Sequence, residues 1–487
     1  MRILFVVHGF PPEGSRGTEL YSFYLLKELQ RQGHDVHVFY PVRCPEKAEF
    51  ETQTGATEGI DWTTVNFTYR NSSGFLSDHE IPEITGRFRE LLADWRPDVV
   101  HFHHLIQLSF SMVPAAARSG AAVLYTLHDF KLICPRGQML RRDLSVCDRP
   151  EPANCAACKI TLFPLPRRYR IWSEILEKFV VPYRHHSWLR AGARWLENRH
   201  AARLGKERPE VVLAVQERWE DFQAAADAVG LFISPSQTVR QKFIEAGIPA
   251  DKILHSPNGY PVEHFSGFER SPSPVLRFGL IGTFIPSKGV DLLIRAFNGI
   301  GQADVILNLF GKFNRYEGFL KYEEYVRPLV KHRGIQFRGE FEHGKIARCL
   351  SEIDVLVVPS IWLENAPLTI QEAFLTGTPV IAAGQGGMAE MVRDGENGLL
   401  FKPGDIKDLR RQMIRILREP GLLERLQLHL LKENEEGRPL GIKSMAEDAR
   451  FLTGVYERLG APQPPLQKRK PSLLTRLKTV LFPQEKK

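Results

Sequence analysis

A chain of 487 residues with 43% hydrophobic and 25% charged side chains has ordinary globular composition, which excludes collagen-like, low-complexity and wholly disordered classes. Its length points to two large domains rather than one core. A formal charge of +8 and a pI near 9.1 suit an anionic ligand or an anionic membrane surface and are too weak to indicate nucleic acid.

The apolar run Ile3, Leu4, Phe5, Val6, Val7 stops at His8-Gly9 with no small-residue cleavage site behind it, so a buried first strand is expected rather than a signal peptide. No stretch approaches the ~18 apolar residues of a spanning helix. A cytoplasmic chain follows, peripheral at the inner membrane face if its basic segments meet lipid. Its six cysteines are then expected to be reduced.

After the first strand come a Gly-rich turn over 9–17, a helix over 18–32 with apolar Leu20, Phe23, Tyr24 and Leu29, and a strand over 35–40. Further buried strands are expected at 98–103 and 122–127, and strands alternating with helices imply a parallel sheet. The turn carries Gly9, Pro11, Pro12, Gly14 and Gly17 and does not match the tight dinucleotide fingerprint. It reads either as a loop closing on a ligand or as a loop shaped by packing alone. Alternation puts His101 and His103 on one face at the carboxyl end of their strand, where open parallel sheets bind ligands. A lone histidine there also serves as plain structure.

Residues 134–230 break the alternating pattern and read as an insertion in the first domain, with an Arg-rich, Trp-containing stretch at 167–203. Within it Cys134, Cys147, Cys155 and Cys158 follow the order C-x12-C-x7-C-x2-C. Close thiolate spacing, a reducing compartment and flanking Pro135, Gly137, Pro150 and Pro152 point to a closed, structural zinc site in a segment with little core of its own. Free or redox-linked cysteines are the alternative, and His128, His185 or His186 could replace one ligand.

A Ser- and Pro-rich linker over 265–274 leads to a second copy of the architecture, with strands expected at 277–282, 305–310, 335–338, 355–358 and 379–382 and a helix over 290–300. Its first turn runs from Gly282 through Thr283 and Lys288 to Gly289, where helix N–H groups and a lysine together suit a diphosphate. Many strand-to-helix turns contain Gly and Lys without that role. Between the last two strands lie Glu364 and Glu372. Pro367 suits a first helical turn, placing Glu364 in the loop and Glu372 in the helix, roughly 12 Å of helical rise apart. Such carboxylates could reach opposite ends of one extended ligand, or be two ordinary surface acids. A helix over 441–460 and a Pro-rich, basic tail over 461–487 end the chain. In the tail, Leu473, Leu474, Leu477, Val480, Leu481 and Phe482 make one face of either a short interfacial helix or a disordered segment.

On Glu364 to Glu372, with Pro359, Ser360, Gly377, Pro379, Gly386 and Gly387 around them, the chain resembles the retaining glycosyltransferases of family 4, over roughly residues 1–130 and 230–440. The resemblance implies the GT-B fold, an α/β architecture of two doubly wound Rossmann-like domains facing a central cleft. The first would span 1–265 on the acceptor side and the second 275–440 on the nucleotide-sugar side. It further implies that Glu364 lies beside the sugar, that Glu372 binds the ribose hydroxyls and that Lys288 neutralises the donor phosphates. Gly17, Gly282, Gly386 and Gly387 would line the donor site, and His103, with His101 as second choice, would face the transferred sugar. His128 and Asp129 are expected to line the acceptor cleft. Thr283 stands where many members carry a basic residue, so a second cation at the diphosphate would have to come from Lys312 or Arg315. No D-x-D occurs in the chain, and catalysis is expected to need no metal cofactor.

The expected activity is transfer from a nucleotide-sugar donor to a lipid-linked or saccharide acceptor with retention of configuration, in cell-surface polysaccharide or glycolipid synthesis. The alternatives are a nucleotide-sugar-binding protein without transfer activity and a soluble disaccharide synthase of the same fold.

Overall fold

The computed structural model describes residues 1–12, 14, 17–70, 79–148, 150–159, 192, 195, 199, 209–301, 304–316, 319–435 and 441–460. Most of the Arg-rich stretch, His185 and His186, and the whole tail with its expected interfacial helix lie outside them.

The first sheet is built from β1 (Arg2–Val6), β2 (Asp35–Val42), β3 (Thr52–Thr57), β4 (Ile60–Asn66), β5 (Val99–Phe102), β6 (Ala122–Thr126), β7 (Leu231–Ser234) and β8 (Ile253–His255). The strand order is β3-β4-β2-β1-β5-β6-β7-β8. All neighbours are parallel except β3, which pairs antiparallel with β4. Both faces of this sheet are covered. Leu4 and Val6 of β1 enter one core with the helix Pro82–Trp95, while Ile3, Phe5 and Val7 enter another with the helix Gly17–Arg31. That double burial is why the strand reads as an unbroken apolar run rather than as an alternation.

The second sheet has order β12-β11-β10-β13-β14-β15 and is wholly parallel. Its strands are β10 (Leu276–Ile281), β11 (Val305–Phe310), β12 (Ile335–Gly339), β13 (Val355–Val358), β14 (Val380–Ala383) and β15 (Gly398–Phe401). In both sheets the strand order reverses beside the first strand, at β1/β5 and at β10/β13. The crevices at the carboxyl ends of these strands are where such sheets bind ligands.

The helix Pro209–Ala228 is the crossover that carries β6 to β7, and it buries Phe222 and Ala225 in the first domain's core. The chain passes between the domains twice. At the crossing, β9 (Gly259–Tyr260) pairs with β16 (Lys443–Ser444). The closing helix Met445–Gly460 then returns to the first domain, placing Leu452, Val455 and Tyr456 against Leu25, Leu26 and Leu29. Buried Asp448 fastens this crossing, accepting from Gly259 N at 2.8 Å, from Tyr21 Oη at 2.8 Å and from Lys443 Nζ at 3.5 Å. Among the described residues no helix is long and apolar enough to cross a membrane.

Candidate active site

The second sheet delivers its charged groups from the two loops that leave its switch point. After β10 the chain turns at Gly282 and reaches Lys288 in a short 3-10 turn that Gly289 ends with φ +71. A side chain at Gly289 would also overlap the carbonyl of Pro359 on the neighbouring loop, so glycine is required there twice over. After β13 the chain passes Pro359 and Ser360 to Glu364. The helix Leu368–Leu375 follows with Pro367 as its cap, so Glu372 is helical and Glu364 is not. The loop is held from beneath: Gly387 N donates to Glu364 O at 2.7 Å, and a Cβ at Gly387 would run into the carbonyl of Asn365.

These loops bring Lys288 Nζ to 2.6 Å from Glu364 Oε1, an oxygen that also accepts from Ser360 Oγ at 2.7 Å. The ammonium lies 5.7 Å from the centre of the Trp362 ring. Glu364 is 4% exposed, whereas about a third (32%) of the Lys288 side chain remains open. The cation therefore has a free side toward the crevice. Glu372 is 1% exposed and accepts from Tyr260 Oη at 2.7 Å. Burial pushes its carboxyl up to about 7, against the phenol's donation, which favours the ionised form. Of the two candidate substitutes for a second cation, Lys312 is paired with Glu340 at 2.5 Å, and Arg315 is exposed.

The first sheet delivers histidines. His101 is fully occupied, with Nδ1 2.7 Å from Tyr456 Oη and Nε2 2.8 Å from Thr126 Oγ1. That makes it a core residue and separates it from His103, whose Nδ1 lies 3.0 Å from His128 Nε2 and whose Nε2 is buried without a partner. His103 is wholly enclosed, while His128, at the end of β6, is only half-buried. Of the pair, His128 is the more exposed. His104 Nε2 lies 2.9 Å from Asp129 Oδ2 and its Nδ1 accepts from Ile106 N, so its Nε2 carries the proton. Burial, reinforced by neighbouring histidines, holds His103 well below the usual imidazole range and brings His128 down to about 3. Both rings are neutral at physiological pH. Burial pulls the Asp129 carboxyl up, but the interaction with His104 and the Lys131 N–H outweigh it and leave it low.

The two halves touch across the cleft through residues that no sequence pattern singled out. Asn365 Nδ2 donates to Leu127 O at 2.7 Å and to His128 O at 3.2 Å, while its Oδ1 accepts from Ser236 Oγ at 2.7 Å. Glu390 accepts from Gln237 N and Thr238 N, each at 2.7 Å, at the start of the helix Gln237–Glu245. Gly17, at the start of the first helix, faces the Leu368 side chain at the start of the second domain's helix Leu368–Leu375. Glu13, Ser15 and Arg16 of the Gly-rich loop lie outside the described residues. Only Asn365 had a signal available, its place beside Glu364; Ser236, Glu390 and Tyr260 are distant in sequence and carry none.

The expected zinc site gains no support: Cys134, Cys147, Cys155 and Cys158 form no disulfide, and among the described residues no three His, Cys, Asp or Glu side chains stand together as a metal-holding group. The four do share a neighbourhood: burial, then repulsion from Cys134, Cys158 and Cys147, pushes the Cys155 thiol up. The four thiols sit on different supports. Cys134 is buried in the first domain's core, with its N–H on Phe130 O, while Cys155 and Cys158 ride on the separate helix Pro152–Lys159.

Known proteins agree with this architecture. Residues 15–145 match the family described as Glycosyltransferase Family 4, and residues 266–429 match Glycosyl transferases group 1. An uncharacterized glycosyltransferase of Methanocaldococcus jannaschii is 33% identical over 151 residues, covering 31% of this chain and 40% of that protein. The phosphatidyl-myo-inositol mannosyltransferase of Mycobacterium leprae is 31% identical over 181 residues, covering 35% of this chain and 45% of that protein. The matched stretches thus span less than half the length of these curated relatives. Among solved structures, sucrose-phosphate synthase from Thermosynechococcus elongatus superposes with a TM-score of 0.62 at 17% identity, covering 94% of this chain and 99% of that one. Anabaena HepE in complex with UDP and glucose gives 0.59 at 16% identity, covering 93% and 99%.

Proposed function

We propose that this chain, which belongs to the glycosyltransferases of family 4 and has the GT-B fold, transfers a sugar from a nucleotide-sugar donor to a lipid-linked or saccharide acceptor, with retention and without a metal cofactor. The observation that carries the reading is the meeting of Lys288 with Glu364 at 2.6 Å on the crevice of the second sheet, opposite neutral histidines at the strand ends of the first. The UDP and glucose bound to HepE, and the mannosyl transfer for which the mycobacterial relative is named, support it by likeness.

In this reading the donor lies along the carboxyl edge of β10 and β13. Its diphosphate takes the open side of Lys288, its ribose meets Glu372, and Glu364 lies beside the sugar. As the bond from the anomeric carbon to the diphosphate breaks, negative charge grows on the departing oxygen. Lys288 stabilises that charge within a pre-organised site. The acceptor hydroxyl adds to the same face of the anomeric carbon and gives its proton to the departing phosphate oxygen. Retention is carried here by the family likeness. Because burial holds both imidazoles low, His103 and His128 are poor proton acceptors and act as hydrogen-bonding groups toward sugar hydroxyls, not as the base. His128 is assigned the contact with the sugar and His103 the support behind it, on the burial of the two rings.

The test is a thermal-shift screen of the intact chain against nucleoside diphosphates and their sugars with EDTA present, followed by mass spectrometry of glycosylated products. A stabilising nucleotide sugar and a product that persists in EDTA are expected. Nucleotide-sugar binding without transfer to any lipid or saccharide acceptor would leave a binding protein. Activity lost in EDTA and restored by a divalent ion would overturn metal independence.

A further inference from the structure

Tyr260 belongs to no motif and lies outside both carboxylate loops, yet it makes a buried hydrogen bond to a residue assigned to the donor. Its side chain is 2% exposed, and its Oη donates to Glu372 Oε1 at 2.7 Å. The ring is stacked on Phe265 at 6.0 Å. The backbone beneath it is held at β9 by pairing with β16 and by Gly259 N on Asp448. A phenol has one proton to give. It therefore engages one carboxylate oxygen of Glu372 and sets the plane in which the group is presented, while a ribose offers two adjacent hydroxyls.

We propose that Tyr260 is the positioning residue for nucleotide recognition: its phenol orients Glu372 toward the ribose diol of the donor and ties that carboxylate to the segment joining the two domains. The proposal rests on the donor reading above. Burial disfavours the charged form of Glu372 and the phenol's hydrogen bond opposes this, so the same contact keeps the carboxylate able to accept. Tyr24 on the first helix and Cys349 on the helix Ile346–Ser351 also feel its charge. Charge alone has no direction, whereas the bond from Tyr260 fixes one.

The experiment is calorimetric binding of UDP, GDP and ADP, and of their 2′,3′-dideoxy counterparts, to the full chain, to Tyr260→Phe and to Glu372→Gln. The wild type should bind one ribose nucleotide better than its dideoxy form. Tyr260→Phe should weaken the ribose form by about fivefold to tenfold, the scale of one ordinary net hydrogen bond, and leave the dideoxy form unchanged. The double variant should lose no more than Glu372→Gln alone. With a nucleotide sugar, the KM of the donor should rise while kcat holds. Equal weakening of ribose and dideoxy forms would mean a packing role and overturn the proposal, as would Tyr260→Phe binding like the wild type. Failure of the wild type to bind any of the three nucleotides would remove the donor reading, and this proposal with it. A melting curve of Tyr260→Phe superposable on the wild type keeps a folding defect from imitating either result.

Discussion

The two sheets meet one cleft with opposite chemistry. The strand ends of the second carry a cation and two carboxylates, Lys288, Glu364 and Glu372, each placed by a glycine-dependent close approach or by a helix. The strand ends of the first carry neutral imidazoles, His103 and His128, stacked on one another and kept uncharged by burial. The difference teaches how the labour is divided. On the proposed function, a diphosphate would be recognised by charge, whereas a sugar ring, which has none, would be recognised by hydrogen bonds from groups that stay neutral. The carboxylates survive burial because partners come with them, Ser360 and Lys288 for Glu364 and Tyr260 for Glu372.

Substitutions in the two halves should therefore fail in different ways. Lys288→Ala removes a charged contact worth about 2–4 kcal/mol, so the donor KM should rise roughly thirtyfold or more, with a shallower salt dependence than the wild type. A loss confined to kcat would contradict the division. His128→Ala should lower kcat roughly tenfold to a hundredfold, on the scale of a misplaced reacting group, with donor KM nearly unchanged. His103→Ala, acting only through His128, should fall in the same parameter by less.

Glu372 should show pH dependence where the histidines do not. Its pKa of about 7 lies above the ordinary carboxyl value, so donor affinity should tighten about fivefold between pH 6 and pH 8, as the ionised form, the stronger acceptor, takes over. Stability moves in the other direction. The group's contribution is complete below the ordinary carboxyl pKa and is lost as pH rises through about 7. Glu372→Gln should flatten both curves. The smallest effect is expected at the cleft contact, where Asn365→Ala should lower kcat/KM about twofold to threefold by loosening His128, whose carbonyl it holds. An unchanged kcat/KM would show that the two chemistries are set independently of each other.

Much of the second half was legible in sequence. The strand 355–358, the cap at Pro367 and the placement of Glu364 outside and Glu372 inside the helix all appear where local pattern puts them, because proline restricts its own backbone and apolar runs bury themselves. The first half was legible as far as its first helix and several of its strands. Pattern could place His101 and His103 on one face but could not rank them, because the ranking depends on Tyr456 and Thr126, distant residues that occupy both nitrogens of His101. The four cysteines show the same limit from the other side: spacing proposes a ligand set, but which thiols converge depends on the elements that carry them.

What the sequence by itself determined is therefore what neighbouring residues control: two alternating α/β units, the glycine turns and the helix positions of the carboxylates. What only the tertiary structure decided is which atom meets which across long separations. Tyr260 reaches Glu372 across 112 positions and Asn365 reaches His128 across 237. The physical reason is that chain-local preferences act over a few residues, whereas a hydrogen bond is set by direction and distance in space, and those exist only once both domains have packed.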